Sequence, residues 1–391
     1  MTEVVVTGMG LVSALGLNLD RTWQRLLSGE SGIRLYQPFA EIPAQPLALV
    51  GAQPSCLEDL LKPAVLDAVK DAGLSPPIES CGVVIGSSRG FQGQWEDQAL
   101  NRYRPTQASL PEGSLLVTPD QMVHIYGESP STVVAQAISA QGPVLAPRAA
   151  CATGIWAIAQ GAELIRGGYC SRVVVGAVEA PVTRLTLAGF RKMGAMATSG
   201  AYPFDREREG FVLGEGAAIL VLEAESLAHQ RHAKIYGRVL GMGLTVDAYH
   251  MSAPEDSRRW AMVAVQDCLQ RSGLRREDIG YIHAHGTATQ LNDRAEALVI
   301  QKLFPPDVAV SSTKGATGHT LGASAAMGSV FCLLSLSRQV LPPCVGLQHP
   351  AFDLNFVREP LACNSQAVLC FSSGFGGQNT VLALAARRDA G

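Results

Sequence analysis

Residues 149–168 read AACATGIWAIAQGAELIRGG. From Ala152 to Arg166 the run is small and apolar, and it stops at Gly167-Gly168, a natural C-cap, so it predicts a helix. The β-branched runs Val83–Ile85 and Val173–Val175, bounded by glycines, predict buried strands on either side. Working outward, Val4–Val6 reads as a strand and Pro63–Ala72 as a helix. Phe211–Leu222 and Ile235–Met242 read as long strands joined through 223–234. Then come a helix at Arg258–Arg271, a strand at Ile279–Ala284, a helix at Asp293–Leu303, a strand at Val308–Ser311, a helix at Leu321–Leu336, and strands at Ala367–Phe371 and Thr380–Leu384. Alternating strand and helix predict an α/β fold with helices on both faces of each sheet. A soft boundary near residue 230 separates 1–230 from 231–391. Around Cys151, and again around His319, a strand runs into a turn and then a small-residue helix, which hints at an internal duplication. The polar stretch 90–119 reads as a long loop.

Composition narrows the function. The chain has 391 residues, with 31 Lys plus Arg against 34 Asp plus Glu, a net charge of −3. That balance argues against a general nucleic-acid or anionic-membrane binder, which needs a basic surface. With 47% hydrophobic and 17% charged residues the chain is not intrinsically disordered. Nine scattered cysteines form no CxxC pair, and the opening MTEVVVTGMG has strand length without a basic flank. A reducing, cytoplasmic protein with free thiols is expected. Leu321–Leu336 is apolar but short of the roughly 18 residues of a membrane span, so a buried helix is expected there.

Four segments carry candidate chemistry. Cys151 stands at a predicted helix N-terminus, where amide N–H groups and the macrodipole favour a thiolate. The alternative is a buried core cysteine, which suits most isolated cysteines. In YIHAHGTATQLND (281–293) a strand ends at His285, and Asp293 and Glu296 open the next helix, where acids suit the dipole. His283 and His285 share a strand face, a possible metal pair, but no spaced carboxylate or cysteine completes a ligand set. SSTKGATGHTLGASAA (311–326) places Lys314 and His319 in a Gly/Thr-rich turn; the phosphate-loop order GxxxxGK[ST] is absent. In SSGFGGQNT (372–380), glycines around Phe375 make a turn able to offer N–H groups to an oxyanion, or merely a strand connection.

Taken together, these segments resemble the elongating β-ketoacyl-acyl-carrier-protein synthases of the thiolase superfamily. The resemblance spans essentially the whole chain: VVVTGMGLVSALG (4–16), FDREREGFVLGEGAAILVLE (204–223), DAYHMSAPED (247–256), HGTATQLND (285–293), STKGATGHTLGASA (312–325) and GFGGQN (374–379). It implies a thiolase-like duplicated fold with a five-layered αβαβα core, as a homodimer. It implies a Cys151 nucleophile, catalytic His285 and His319, an active-site Lys314 with Glu296 as its ion-pair partner, and structural support from Asp293. The N–H groups of Cys151 and Phe375 would form the oxyanion hole, with Phe375 as gate. Thr287, Thr289, Phe190 and Arg89 would meet substrate. The implied partner is acyl carrier protein, delivering acyl and malonyl groups on phosphopantetheine. No organic cofactor, nucleic acid or membrane span is implied; a structural monovalent cation occurs in the family, with no ligands assigned here.

Three departures stand out. Ser373 occupies a position where the family usually has phenylalanine. Arg89 lies where an apolar residue closes the acyl pocket, with Glu96 and Asp97 as candidate partners. Gly194 replaces an arginine of the carrier-docking surface, leaving Arg191 and Lys192, while Lys62 and Lys70 remain in a shortened segment. Two other functions stay open: a ketosynthase of a polyketide, polyene or specialised-lipid pathway, and a non-condensing partner subunit, which would be expected to lack the nucleophile.

Overall fold

The fold is that of a computed structural model, which describes residues 2–103 and 129–388. Eleven strands form the main sheet. In chain order they are β1 (Val4–Ser13), β2 (Gly82–Gly86), β3 (Val144–Leu145), β4 (Arg172–Glu179), β5 (Gly216–Ala224), β6 (Gly237–Val246), β7 (Tyr281–His283), β8 (Ala309–Ser311), β9 (Asn355–Phe356), β10 (Ala367–Gly374) and β11 (Gln378–Ala385). The helices used below are α1 (Leu57–Asp71), α2 (Gln92–Tyr103), α3 (Thr153–Arg166), α4 (Arg184–Lys192), α5 (Arg259–Ser272), α6 (Gln290–Leu303) and α7 (Ser324–Arg338).

Strand order reveals the duplication. The N-terminal strands run β3-β2-β4-β5-β1, and the C-terminal strands run β8-β7-β10-β11-β6, with β9 added at the edge. In both series the first three strands are parallel and the last two junctions are antiparallel. The same arrangement is therefore built twice. The two halves join where Val4–Val6 of β1 pairs with Gly237–Val239 of β6, so the two sheets run into one.

Side-chain alternation builds the layers. On β4 and β5, Val173, Val175, Leu220 and Leu222 join the central core, while Val174, Val178, Ile219 and Val221 join an outer core under Leu61, Ala64 and Val65 of α1. On β10 and β11, Val368, Cys370, Leu382 and Leu384 face the centre, and Leu369, Phe371, Val381 and Ala383 face Val265 and Leu269 of α5. A period of two thus gives each sheet two buried faces. The middle layer is α3 against α7. They approach so closely at Gly154 that a β-carbon there would lie 2.3 Å from the Ala326 amide nitrogen. The layers run α1, first sheet, α3 with α7, second sheet, α5. Leu321–Arg338 is long and apolar enough to cross a membrane by length and composition, but it is almost wholly buried as this central layer.

Some boundaries differ from expectation. Helix α1 begins at Leu57, so Pro63 falls inside it rather than at its start. Burial of Leu57, Leu60 and Leu61 outweighs the lost proline hydrogen bond. Residues 211–215 lie outside β5, because Phe211 and Leu213 bridge instead to Met196 and His319. Of the expected loop 90–119, residues 92–103 form α2, and 104–119 lie outside the described residues.

Candidate active site

The chain enters α3 through a sharp elbow. Ala150 takes φ 47°, a left-handed conformation costly for a residue with a side chain. Thr153 holds it: its hydroxyl donates to the Ala150 carbonyl at 2.6 Å and accepts from the Ala149 amide at 2.9 Å. Cys151 follows at the base of a cleft, only 9% exposed. His319 stands at the matching place before α7, its amide donating to Val212 at 2.7 Å. The two small-residue helices thus deliver a cysteine and a histidine to one cleft.

His285 comes from the chain just past β7. Its backbone is clamped from two sides. Glu296 of α6 accepts from the His285 amide at 2.6 Å and from the Gly286 amide at 2.7 Å. The Lys314 ammonium donates to the His285 carbonyl. The expected Lys314–Glu296 ion pair is not among those the described residues form: each group instead holds a different edge of the segment 285–286, keeping the charges apart across it. Asp293 accepts from the Phe204 amide at 2.7 Å and lies 4.0 Å from Arg208, so it ties α6 to the 204–208 turn.

The imidazoles of His285 and His319 lie 5.3 Å apart at 82°. Burial, and then the Lys314 charge, push both well below the ordinary histidine range, so both are neutral at pH 7. Burial also lifts Glu296 to about 7 and Asp293 to about 6, and lowers Lys314. Burial pushes the Cys151 thiol up to about 12, against the opposing pull of Lys314. Burial thus acts against the thiolate that a helix N-terminus would favour, and in this direction the thiol holds its proton until a base takes it.

Ser372 on β10 joins the groups. Its hydroxyl lies 3.1 Å from the Cys151 carbonyl and 3.3 Å from His285 Nδ1. Two residues on, Gly374 passes so close that a β-carbon there would lie 3.2 Å from the Cys151 amide nitrogen. The turn then needs positive φ at Gly376 and Gly377, and exposes Phe375. Phe375 approaches Phe190 at 6.2 Å; Phe190 packs edge-on to Phe211 at 5.1 Å, and Phe211 edge-on to His319 at 5.3 Å. Thr287 and Thr289 line the same cleft, their hydroxyls 2.9 Å apart, with Thr289 capping α6.

Other expectations resolve differently. Arg89 sits behind Phe190, its guanidinium 5.2 Å from the ring centre, and contacts Gln92 at 3.4 Å. Glu96 is bound by Gln92 and Thr183, and Asp97 lies 3.9 Å from Arg184, so neither is paired directly with Arg89. His283 does not join the cleft pair: Nε2 meets Thr313 at 3.1 Å and the ring packs against Phe331. Among the described residues no group of three His, Cys, Asp or Glu is placed to hold a metal ion. All nine cysteines are free. Sequence reading did not single out Ser372, although it lies in a quoted segment: its role depends on a neighbour 221 positions away.

Comparison with known proteins gives the family. The chain matches the beta-ketoacyl synthase N-terminal domain over residues 1–55 and 52–228, and the C-terminal domain over 236–348. It is 33% identical to 3-oxoacyl-[acyl-carrier-protein] synthase 2 of Synechocystis, covering 97% of each chain. It is 32% identical to a mitochondrial 3-oxoacyl-[acyl-carrier-protein] synthase of Arabidopsis thaliana, covering 98% of this chain and 93% of that one. Among solved structures it resembles a type II polyketide ketosynthase in complex with its acyl-carrier protein, with TM-score 0.92, 27% identity, and 99% and 100% coverage. It resembles a beta-ketoacyl synthase from Burkholderia phymatum with TM-score 0.89, 28% identity and the same coverage. With both domain patterns matched in order, across a duplicated thiolase-like fold, the chain belongs to the beta-ketoacyl synthase family of acyl-transferring condensing enzymes.

Proposed function

We propose that the protein is a 3-oxoacyl-[acyl-carrier-protein] synthase of fatty-acid elongation, with Cys151 as nucleophile and His285, His319 and Lys314 as its catalytic companions. The observation that carries this reading is the meeting of a buried thiol and two neutral imidazoles in one cleft. In the first half-reaction the Cys151 proton passes to a neutral histidine, and the thiolate attacks the acyl thioester. The thioester C–S bond breaks, and the carrier thiol leaves with a proton. The amides of Cys151 and Phe375 stabilise the oxyanion; losing one such donor costs about 3 kcal/mol of barrier. In the second half, malonyl-carrier loses carbon dioxide, and imidazole N–H groups stabilise the enolate oxygen. The carbanion attacks the acyl-Cys151 carbonyl, the C–S bond to Cys151 breaks, and the released thiolate takes up one proton from solvent. The product is a 3-oxoacyl thioester two carbons longer. Every group used is a side chain or backbone amide, so this reading needs no cofactor.

The substrates come on acyl carrier protein. Arg191 and Lys192, exposed at the end of α4 beside the cleft residues Met193 and Gly194, would meet its acidic surface. We take the working form as a homodimer, the halves as 1–230 and 231–391, and the compartment as the cytoplasm, in keeping with nine free thiols. The polyketide-ketosynthase likeness supports a second reading, in which the same chemistry serves a polyketide or specialised-lipid pathway. The test is a condensation assay with acyl-carrier donors from acetyl to palmitoyl, then malonyl-carrier, read by intact mass beside Cys151→Ala. Acylation of wild type alone, and a product two carbons longer, is expected. A folded wild type that accepts no acyl group overturns the reading, and the preferred donor decides between the two pathways.

A further inference from the structure

The cleft does not end at the histidines. Strand β10 divides it: Ser372 faces Cys151 and His285, whereas Phe371 and Ser373 face the other way. On that far side the cleft continues between α5 and α6, walled by Val265, Val299, Phe371 and Val381. These four are buried and belong to the outer core, yet they leave open space. The whole cleft holds about 340 Å³, the lower end for a small-molecule site. Ser373, next to Phe371 on the same face of the strand, also lines the cleft.

The head of the branch is not apolar. Arg258, immediately before α5, lines the cleft. One of its terminal nitrogens is taken by the Glu255 carbonyl, but Nε is buried without a hydrogen-bond partner. A buried guanidinium N–H costs stability unless something accepts from it. The nearby carboxylates are already engaged: Asp247 with Asn379 at 2.7 Å and the Glu255 amide at 3.1 Å, Glu255, which feels the Arg258 charge, with the Ser257 hydroxyl at 2.6 Å, and Glu296 with the backbone of 285–286. The Arg258 guanidinium, lining the cleft beside an aliphatic branch, favours an anionic head with a hydrocarbon tail.

We propose that this branch is a binding site for a medium-chain alkyl carboxylate, a free fatty acid, whose carboxylate pairs with Arg258 and whose tail lies against Val265 and Val299. The site is separate from the Cys151 face of the strand and needs no covalent step. Because it shares its mouth with Thr289 and Asn379, which line the cleft, an occupant would obstruct the path to Cys151. The free acid would thus restrain an enzyme that builds acyl chains. Binding itself does not depend on the proposed reaction; the restraint does.

The test is calorimetric titration of the full-length protein with laurate, below its micelle concentration, beside dodecanol. Laurate should bind, and dodecanol at least tenfold more weakly, since a charge-assisted hydrogen bond is worth about that factor or more. Arg258→Met should weaken laurate at least tenfold and bring the two ligands level. Val265→Trp and, separately, Ala261→Phe should fill the branch and weaken both ligands; the thermal unfolding profile of each variant shows whether it has folded. Laurate should compete with acyl-carrier in the transfer assay. Absence of laurate binding to wild type, or equal binding by wild type, Arg258→Met and a folded branch-filling variant, overturns the proposal. Laurate binding to a protein that shows no acyl transfer would sustain the site and remove only the restraint.

Discussion

The hydroxyl of Ser372 lies 3.3 Å from Nδ1 of His285 and 3.1 Å from the carbonyl of Cys151. It has one proton for two acceptors. When Ser372 donates to the Cys151 carbonyl, His285 Nδ1 must carry the hydrogen that it donates to Ser372, and Nε2 presents a lone pair. When Ser372 turns to donate to Nδ1, Nε2 carries the hydrogen. A base for the thiol and a donor for an enolate are thus the two tautomers of one ring, exchanged by rotation of one hydroxyl. Ser372→Ala should lower kcat about 100-fold, with KM for acyl-carrier changed little and folding unaffected. Steady-state kinetics on the purified variant reads this; wild-type kcat would remove Ser372 from the proton path.

Lys314 governs the acidic limb. Burial is the main reason that His285 and His319 titrate low, and the Lys314 charge adds to it. A positive neighbour disfavours the imidazolium, so removing it raises the histidine values without restoring the ordinary one. Lys314→Met should therefore move the acidic limb of the kcat/KM profile upward, while burial keeps it below pH 6.5, the unperturbed value. An unshifted limb would show that the lysine acts only through its bond to the His285 carbonyl.

Much of this was legible before any coordinates. Val173–Val175 read as a strand because a parallel strand buried on both faces is apolar without interruption, and the glycine pair after Arg166 marked the end of α3. Cys151, His285 and His319 stand out as a cysteine and two histidines read at strand-to-turn junctions, and Lys314 as a lysine in a Gly/Thr-rich turn. What was not legible depends on distance in the chain. Phe211 reads as strand, but its backbone pairs with Met196, and Leu213 beside it with His319. Glu296 looked like a partner for Lys314, since only the fold shows both reaching for the same segment. The thiol's raised pKa follows from desolvation, which the helix-terminus argument does not contain.

Gly374 tests the oxyanion site. A β-carbon there would lie 2.8 Å from the Ala149 carbonyl and 3.2 Å from the Cys151 amide, so backbone has to move. Gly374→Ala should push the 374–375 backbone off the elbow and cost on the order of 100-fold to 1,000-fold in kcat, the usual loss of one oxyanion donor. The effect should fall on acylation and condensation alike, because both pass through a tetrahedral intermediate. Single-turnover acylation followed by mass spectrometry separates the two; a loss confined to condensation would place the defect at the malonyl group instead.

Glu215 is wholly buried, accepting from the Ser55 amide at 2.9 Å. Burial raises its carboxyl to about 7 from 4.5, despite that hydrogen bond. A carboxyl raised on folding binds its proton more tightly in the native state. Its contribution is therefore present in full below pH 4.5 and lost as the pH climbs through about 7. By pH 8.5 the loss is on the order of 3 kcal/mol, at about 1.4 kcal/mol per pH unit. Glutamine keeps an acceptor for Ser55 and does not titrate, so Glu215→Gln should be the more stable protein at pH 8.5 and lose that advantage at pH 5. Glu296 and Asp293 also titrate in this range, but they are common to both proteins and cancel in the difference. Urea unfolding of wild type and variant at the two pH values gives the comparison. A variant less stable than wild type at pH 8.5 would mean that the Ser55 amide requires the full charge of the carboxylate, outweighing its desolvation.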